Sequence, residues 1–368
     1  MNKKIYVTQP TLPDLSEFTK SLEQIWKSKW LTNNGLFHQE FEKKLAEFLG
    51  VQYISLFANG TLALLTSLQA LDITGEVITT PYTFVATAHS IMWNNLTPVF
   101  CDIEPVYGNI DINKIEQLIT EKTTAILPVH VYGNPVDVEK IELIAQKHKL
   151  KVIYDAAHAF NVKKDGNPIL NYGDLSVLSF HSTKVFNTIE GGAIISHNKE
   201  TKQHIDDLKN FGFRNETTVV AAGINGKMNE LQAAYGLLQI KDIKNQIASR
   251  KKITNIYRQL LNNIIGINFY KNIDGVEHNY AYFPIFISDE YKMSRDELYN
   301  LLKSNNIFGR RYFYPLISNI PTYKELPSSN INNLPVANKL ANQVICLPIY
   351  PDLQEEEIMY ICNLIKGK

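Results

Sequence analysis

Seven short apolar runs recur between residues 53 and 196, and this recurrence limits the chain to few folds. Most runs are continuously apolar, which is typical of strands covered on both faces. They are Tyr53–Phe57, Glu76–Thr80, Pro98–Asp102, Thr124–Val131, Lys151–Asp155, Leu175–Phe180 and Ala193–Ser196. Helical patterns separate several of them, at Thr61–Leu71, Phe84–Trp93, Ile112–Ile119 and Val138–His148. The alternation predicts an α/β fold with a large, mainly parallel seven-stranded sheet between layers of helices.

The segments on either side of this region have different patterns. Before it, apolar residues at helical spacing predict one helix within Phe18–Trp26 and a second over Phe37–Leu49. After it, a long helical pattern follows Met228. The last third predicts strands and helices at Tyr280–Ile287, Ser294–Asn305, Gln343–Leu347 and Gln354–Ile365. We therefore predict a large domain over residues 1–245, with an N-terminal arm, and a smaller α+β domain over residues 246–368.

The composition argues against several functional classes. The 37 basic and 37 acidic residues balance, so no net positive field favours nucleic acid as a partner. The sequence has no polybasic run, no apolar run of membrane-spanning length, and no apolar signal core at its start. The cysteines Cys101, Cys346 and Cys362 are an odd number without metal-ligand spacing. We expect a cytoplasmic protein with reduced thiols and no metal site, nucleic-acid partner or membrane partner.

A single lysine follows the sixth apolar run. Leu175–Phe180 continues into His-Ser-Thr-Lys184, and the pair Gly191-Gly192 then leads into the seventh run. An amine at the mouth of a buried sheet loses hydration, which disfavours its ammonium form and makes it a usable nucleophile. The alternative is a surface-loop lysine that merely follows a strand. Lys184 taken alone does not decide between these two interpretations.

Three other strand ends carry polar or aromatic residues, and each also has an ordinary structural explanation. Asn59-Gly60-Thr61 opens a helix whose N–H groups and hydroxyl suit a phosphate, although a plain helix cap is the alternative. Asp155 ends a buried strand shortly before His158 and needs a cation or hydrogen bonds; a turn cap is its alternative. Phe84 follows the run Glu76–Thr80 and can cover the sheet mouth, with core packing as its alternative. Ligands of open α/β sheets bind beyond the carboxyl ends of the strands, so these residues can reach one crevice.

One ligand, pyridoxal 5′-phosphate, accounts for all of these residues together. Its aldehyde needs an amine, which Lys184 supplies, and its ring nitrogen needs a carboxylate, which Asp155 supplies. Its ring needs a flat apolar cover, for which Phe84 is the candidate. Its phosphate needs N–H and hydroxyl donors, and the candidates are Gly60, Thr61 and Ser179. The sequence therefore predicts Lys184 and Asp155 as catalytic residues in a pyridoxal phosphate site.

Eight sequence motifs, spread over nearly the whole chain, resemble those of one protein family. They are Trp30-Leu-Thr-Asn-Asn-Gly35, Asn59-Gly-Thr61, Pro81-Tyr-Thr-Phe84, Pro128-Val-His-Val-Tyr-Gly133, Asp155-Ala-Ala-His158, Ser179-Phe-His-Ser-Thr-Lys184, Glu190-Gly-Gly192, and Gly223-Ile-Asn-Gly-Lys-Met-Asn-Glu-Leu-Gln-Ala233. The sequence resembles the pyridoxal-phosphate-dependent sugar aminotransferases of the DegT/DnrJ/EryC1/StrS family. The pairing of Ser-Phe-His-X-Thr-Lys with Glu-Gly-Gly is highly specific. The resemblance implies the aspartate-aminotransferase, or type I, fold.

The resemblance also implies a role for each matching position. Lys184 would hold the cofactor as a covalent internal aldimine and would later move the proton between the cofactor and the sugar carbon. Asp155 would pair with the pyridinium nitrogen, and His158 would lie near the ring hydroxyl. The remaining implied contacts are Phe84 on the ring face and Gly60, Thr61 and Ser179 on the phosphate. Some relatives carry histidine at the lysine position and catalyse dehydration, so Lys184 argues against that reaction.

Asn225 matches an asparagine that reaches the cofactor phosphate of the neighbouring subunit. This match implies a homodimer with shared active sites. Family members commonly have an aromatic residue and an arginine directly after that asparagine, where this chain has Gly226 and Lys227. The resemblance therefore does not fix the detail of the cross-subunit contact.

Motifs in the first 40 residues resemble the family branch that acts at C4 of dTDP-4-keto-6-deoxyglucose. That branch makes dTDP-4-amino-4,6-dideoxyglucose for surface polysaccharide such as O-antigen, and the expected amino donor is L-glutamate. Four alternatives remain open: a C3-aminotransferase for the 3-keto isomer, a UDP-4-keto-sugar aminotransferase, a cofactor-binding sensor without turnover, and an amino-acid lyase of the same fold. Candidate substrate contacts are Asn34, His130, Tyr132, Arg310 and Tyr312. For Arg310 and Tyr312 the alternative is a patch at a protein interface. For His130 the alternative is a core histidine whose hydrogen bonds are satisfied.

Overall fold

The structure is a computed structural model that describes residues 3–367. The α-helices in these residues are α1 (Leu15–Ser28), α2 (Leu36–Leu49), α3 (Gly60–Ala70), α4 (Val85–Trp93), α5 (Val138–His148), α6 (Lys199–Leu208), α7 (Glu230–Leu261), α8 (Arg295–Ser304), α9 (Pro335–Gln343) and α10 (Glu355–Lys366). The strands are β1 (Ile5–Tyr6), β2 (Tyr53–Phe57), β3 (Glu76–Thr79), β4 (Thr97–Phe100), β5 (Thr123–Ile126), β6 (Lys151–Asp155), β7 (Lys163–Lys164), β8 (Asn167–Pro168), β9 (Leu175–Ser179), β10 (Gly192–Ser196), β11 (Ile267–Phe269), β12 (Val276–Glu277), β13 (Phe283–Ile287), β14 (Ile307–Phe308) and β15 (Val344–Leu347). No helix within these residues has the length and apolarity that crossing a membrane requires.

The large sheet has seven strands in the order β2-β10-β9-β6-β5-β3-β4. Strands β9, β6, β5, β3 and β4 run parallel to their neighbours, whereas β10 pairs antiparallel with both β2 and β9. All seven predicted strands are therefore confirmed, and so is the mainly parallel sheet. The parallel strands place their carboxyl ends at one edge, which is where ligands bind in open α/β sheets.

Helices cover both faces of this sheet, as the continuous apolar character of its strands requires. On one face, Phe41 of α2 and Ile141 of α5 pack with strand residues in a fully buried core. On the other face, Leu64 of α3, Ile91 of α4 and Ile205 of α6 close a second core. The sheet edge is thereby held in place by helices that start beside it.

Aromatic packing anchors the loop that follows β9. The rings of Phe160 and Phe186 stack with centroids 4.5 Å apart and an interplanar angle of 3°. Phe180 lies edge-on to Phe186 at 5.3 Å, and Phe41 stacks on the other side of Phe186 at 6.1 Å. Because Phe180 and Phe186 bracket Lys184 in the sequence and are both fully buried, the loop that carries the lysine is fixed at both ends.

A smaller α+β unit follows the large sheet. Strands β11, β13 and β15 form a three-stranded antiparallel sheet that packs in its own core with helices α7, α8 and α10. Helix α7 belongs to both cores, since Ile243 packs in the large one and Ile253 and Tyr257 in the small one. The predicted division after residue 245 falls inside this continuous helix, and that division stays a prediction.

Residues 112–119, predicted as a helix, form two 3₁₀ turns instead. The turns cover Ile112–Lys114 and Glu116–Leu118, and their backbone N–H groups bond three residues back. Ile119 is already extended, with φ −73° and ψ 126°. Three β-branched isoleucines in eight residues disfavour α-helix, and the segment is too short for propagation to offset the cost of nucleation.

One buried carboxylate joins the N-terminal region to the start of α7. Glu230 is 2% exposed, and its two carboxylate oxygens accept the N–H groups of Phe37 and His38, each at 2.9 Å, in the first turn of α2. Its own N–H donates to the carbonyl of Leu31 at 3.0 Å. A negative charge at a helix N-terminus satisfies free donors and complements the helix dipole. Glu230 therefore holds the loop of residues 30–35 against the start of α7.

The substitution Glu230→Ala removes both bonds and leaves the buried N–H of His38 and the part-buried N–H of Phe37 without acceptors. We expect the free energy of unfolding to fall by about 2–4 kcal/mol, measured by urea denaturation at a fixed protein concentration. The matched control is Glu40→Ala, which removes an exposed ion pair with Lys44 on the same helix and should cost less than about 0.5 kcal/mol. Equal losses in the two variants would contradict this role for Glu230.

Candidate active site

A cavity of about 670 Å³ opens at the carboxyl edge of the large sheet. It lies beyond the ends of β6 and β9 and beside the N-termini of α3 and α4. Most of the predicted site residues line it: Gly60, Thr61, Phe84, Asp155, His158, Ser179, Lys184, Arg310 and Tyr312. Residues from four separate strand ends and from the smaller unit are therefore brought to one place.

Asp155 is the buried acid of this cavity, with 5% of its surface exposed. Its Oδ2 accepts the hydroxyl proton of Thr87 at 2.7 Å, and its Oδ1 accepts the N–H of Ala157 at 3.1 Å. Burial raises the pKa of this carboxyl, and the two hydrogen bonds and the charge of Lys184 oppose that rise. A carboxylate held this way is ready to pair with a cationic ring nitrogen.

Lys184 lies in the turn after β9, where its N–H donates to the carbonyl of His181 at 2.9 Å. Its side chain is partly buried in the cavity wall. Burial lowers the pKa of this amine to about 8, although the charge of Asp155 acts in the opposite direction. About one tenth of the amine is therefore neutral at pH 7, and only the neutral amine is a nucleophile.

The start of α3 forms a cradle of backbone N–H groups. The side chain of Asn59 caps this helix by accepting the N–H of Leu62 at 2.9 Å. A Cβ on Gly60 would lie 3.0 Å from the Cβ of Ser179, and a Cβ on Gly192 would lie 2.7 Å from the nitrogen of Gly60. Glycine at these two positions allows β9 and β10 to approach the N-terminus of α3 closely. One anion can therefore contact donors of both the α3 N-terminus and β9.

Aromatic rings surround His158. Its ring stacks on Phe313 at 5.9 Å with an interplanar angle of 7°, and it meets Tyr282 edge-on at 4.9 Å. Its Nδ1 accepts the backbone N–H of Tyr132 at 3.2 Å. Because burial and the neighbouring Lys184 hold the pKa of His158 well below its usual range, the ring is neutral and carries its proton on Nε2.

Two predicted substrate contacts do not lie on this cavity. His130 is fully buried, stacks on Tyr154 at 4.9 Å, and accepts the N–H of Val136 on its Nδ1 at 3.1 Å, which matches its alternative as a core histidine. Tyr132 is buried behind the wall, where its hydroxyl bonds the hydroxyl of Tyr82 at 2.7 Å and the carbonyl of Tyr312. Tyr132 therefore positions the wall of the cavity.

Two further predicted residues, Asn34 and Asn225, also lie away from this cavity. Both are exposed, and neither lines it. Asn34 has a positive φ of 57° within a loop, and its carbonyl accepts a bond from Gln39 at 2.8 Å. Asn225 forms an isolated antiparallel bridge with Asn210. The predicted role of Asn225 requires a second copy of the chain, and Asn34 stays a predicted substrate contact that this cavity does not include.

Sequence reasoning missed three residues that complete the site. Thr87, the partner of Asp155, lies one helical turn after Phe84, and that spacing was a usable signal. Tyr282 and Phe313 form the wall around His158, but they come from the smaller unit. Nothing in their local sequence indicates that they return to the edge of a sheet formed more than 85 residues earlier.

The donor set of this cavity fits pyridoxal phosphate. The desolvated amine of Lys184 lines the same cavity as the buried, hydrogen-bonded carboxylate of Asp155. The N-terminus of α3, where Gly60 and Gly192 allow close packing, supplies N–H groups for the phosphate. This donor set at the carboxyl edge of a mainly parallel sheet defines a type I pyridoxal-phosphate-dependent enzyme. Within that class the chain belongs to the DegT/DnrJ/EryC1/StrS aminotransferase family, whose model matches residues 14–366.

Full-length relatives are similar to the chain throughout. A dTDP-4-amino-4,6-dideoxy-D-glucose transaminase from Escherichia coli is 58% identical over 368 residues, covering 100% of this chain and 99% of that protein. A protein of the same description from Shigella dysenteriae is 52% identical over 366 residues, covering 100% and 99%. The GDP-perosamine synthase of Escherichia coli O157:H7 is 33% identical, covering 99% and 98%.

Solved structures of sugar aminotransferases have the same fold. The structure of DesI in the presence of its TDP-sugar product superposes with a TM-score of 0.95 at 31% identity, covering 100% of this chain and 93% of that chain. Helicobacter pylori PseC, an aminotransferase involved in pseudoaminic acid biosynthesis, gives a TM-score of 0.92 at 28% identity, covering 99% of both chains. The predicted type I fold and family are therefore confirmed.

Thr87→Val tests the support of Asp155. The hydroxyl of Thr87 stabilises the ionised carboxylate, so its loss raises the pKa of Asp155 further. Because the predicted role of Asp155 requires its ionised form, we expect the acid limb of the pH profile of kcat/KM to move toward higher pH.

The matched control is Thr66→Val, a buried threonine of α3 whose hydroxyl has no partner among residues 3–367. This control should leave the profile in place. An acid limb that does not move in Thr87→Val would show that the bond does not tune Asp155.

Proposed function

We propose that this protein transfers the amino group of L-glutamate to C4 of dTDP-4-keto-6-deoxyglucose, giving dTDP-4-amino-4,6-dideoxyglucose. The observation that carries the proposal is the 58% sequence identity over the full chain to a transaminase of that description, together with the placement of Lys184 and Asp155 on one cavity. The product would supply surface polysaccharide such as O-antigen. Three buried free thiols, those of Cys101, Cys346 and Cys362, are in keeping with a reaction in the reducing cytoplasm.

The chain's own residues divide the work of holding pyridoxal phosphate. Lys184 would hold the cofactor covalently through Nζ, and Asp155 would keep its ring nitrogen protonated. The N–H groups at Gly60 and Thr61, with the hydroxyls of Thr61 and Ser179, would bind its phosphate. When bound, the cofactor supplies an electron sink for the negative charge that develops at the carbon bearing the transferred nitrogen.

Proton transfer falls to Lys184 in both halves of the reaction. In the first half its Nζ takes the proton from Cα of glutamate, and in the second it delivers a proton to C4 of the sugar. A pKa of about 8 lets the amine act as both base and acid near neutral pH. His158 is neutral and fixed by the N–H of Tyr132, so its Nε2–H would be available to the ring hydroxyl of the cofactor.

The outer part of the cavity suits a nucleotide diphosphate. Arg310 is exposed on the cavity wall, and no carboxylate among residues 3–367 forms an ion pair with it. Its guanidinium is therefore free to contact a diphosphate bidentately. Tyr312 and Phe84 line the same opening and offer flat surfaces to the sugar and the cofactor ring.

The active sites are shared between two copies of the chain in this proposal. Asn34 and Asn225 are exposed, and large apolar side chains near them are exposed as well. These include Trp30, Leu36, Phe211 and Ile224, which are between 39% and 71% exposed. Apolar surface of this kind favours burial against a partner. In such a homodimer Asn225 would reach the partner's cofactor phosphate.

Lys184→Ala should abolish turnover while leaving the fold intact, because the partly buried amine has no bonded partner that the fold requires. We expect the rate of amino transfer to fall by at least about 10³-fold. The readouts are product formation and circular dichroism. Lys164→Ala, a surface lysine of β7 that pairs with Glu139 at 3.1 Å, is the control and should remain fully active. Near-normal transfer by Lys184→Ala would overturn the assignment.

A panel of keto sugars tests the substrate. The panel holds dTDP-4-keto-6-deoxyglucose, its 3-keto isomer and the corresponding UDP-4-keto sugar, each with L-glutamate. We expect the dTDP-4-keto sugar to give the highest kcat/KM, and NMR of the product should place nitrogen on C4. Preference for another member would correct the substrate and leave the aminotransferase intact. Failure of glutamate to convert the cofactor, observed through its absorption band, would instead indicate a sensor.

A further inference from the structure

A second cavity, of about 290 Å³, lies behind the wall of the active site. It is formed by the C-terminal part of α7, the loop of residues 270–276 and the start of β13. Tyr282 lines both cavities, and Tyr132, whose N–H holds His158, lines only the second. The two spaces are therefore separated by about one side chain.

The charges around this cavity are mainly positive. Lys251, Arg258 and Lys271 line it, and Asp274 is the one carboxylate among its lining residues. No ion pair joins any of the three cations to a carboxylate within residues 3–367. Neighbouring Lys252, by contrast, lies 3.9 Å from Glu355 outside the cavity. The cavity therefore has cationic groups whose charge the fold itself leaves uncompensated.

Arg258 is the central cation and is held rigidly. Its guanidinium is half-buried, donates to the carbonyl of Tyr270 at 2.9 Å, and also bonds the side chain of Asn272. Both partners are neutral, so the charge is desolvated without an opposite charge, and burial lowers its pKa. A desolvated cation is costly unless an anion pairs with it.

Three residues around this cavity carry a buried polar atom that has no hydrogen-bond partner in the described part of the chain. These atoms are Thr254 Oγ1, Arg258 Nε and His278 Nε2. Thr254 is 3% exposed, so ordinary surface water does not satisfy it. Native proteins leave few buried polar groups unpaired, and three around one cavity point to a bound group.

The protonation of His278 makes it a donor. Its Nδ1 accepts the N–H of Tyr280 at 2.7 Å, so the neutral ring carries its proton on Nε2. Burial and the positive charge of Arg258 lower the pKa of His278 to about 4, so the ring stays neutral at pH 7. The unpaired groups are thus N–H donors on Arg258 and His278 and the hydroxyl of Thr254, which can also donate. A ligand with several acceptor atoms would satisfy all of them.

We propose that this cavity is a binding site for a small oxyanion, either a phosphate or a carboxylate, held by Arg258, Lys251 and Lys271. Both anions have the same chemistry at the site: several acceptor oxygens and a negative charge that compensates the cations. The site is separate from the reaction cavity and does not depend on which keto sugar the enzyme uses.

Calorimetric titration of the cofactor-bound protein tests the site, because the bound cofactor already fills its own phosphate cradle. Inorganic phosphate and malonate are the two probes, and chloride at matched ionic strength measures non-specific charge binding. We expect at least one probe to bind more tightly than chloride, and the probe that binds identifies phosphate or carboxylate as the ligand class. No binding beyond chloride overturns the proposal.

Two adjacent lysines provide a matched pair of variants. Lys251→Gln and Lys252→Gln remove the same charge from neighbouring positions of α7, but only Lys251 lines the cavity. Lys251→Gln and Lys271→Gln, both at exposed positions, should each weaken binding by about three- to tenfold. Lys252→Gln should leave binding within about twofold, and an equal loss there overturns the proposal.

Arg310→Gln separates this cavity from the active site. If the probe binds the second cavity, this variant retains its affinity. Loss of binding in Arg310→Gln, with binding kept in Lys251→Gln, assigns the anion to the reaction cavity and overturns the proposal. Arg258→Gln should reduce binding most, and the lysine variants keep the test valid if that variant folds poorly.

Discussion

The buried carboxylate of Asp155 is the constraint on which the rest of the active site depends. An acid at the end of β6, 5% exposed, must be compensated, and the fold does so with the hydroxyl of Thr87, the N–H of Ala157 and the nearby amine of Lys184. Burial lowers the pKa of Lys184 at the same time. Burial in one crevice thus has two effects: Asp155 stays ionised only because it has partners, and Lys184 is partly neutral. An ionised acid and a partly neutral amine are the pair that pyridoxal phosphate chemistry needs.

The parallel sheet explains why such distant residues meet. Strands β6 and β9 are neighbours, so the residues that follow them share one edge, and β10 brings Gly192 against Ser179 and the start of α3. The smaller unit supplies the opposite wall through Tyr282 and Phe313. The cavity therefore lies between the large sheet and the smaller unit, and the packing of Phe180 and Phe186 fixes the loop that carries Lys184.

Most of the sheet and the cofactor side of the site could be predicted from the sequence, because both depend on local patterns. Apolar runs of strand length mark the strands, and short motifs at their ends carry the chemistry. The helix predicted over residues 112–119 was wrong, because that segment has helical spacing but forms 3₁₀ turns. Long-range packing also decides the place of His130, which is fully buried and stacks on Tyr154. Its contact with substrate stays a prediction. Tyr282 has no local signal because its place depends on how the smaller unit docks. Asn225 is exposed and does not line the cavity, and its contact with a second subunit stays a prediction.

Borohydride reduction of the cofactor-bound protein, followed by peptide mapping, tests most directly whether Lys184 is the covalent anchor. We predict one pyridoxyl-modified peptide, the one that contains Lys184, and loss of the visible absorption band on reduction. The variant Lys184→Ala should yield no modified peptide. Modification of a different lysine, or a protein that stays colourless after incubation with pyridoxal phosphate, would contradict the account.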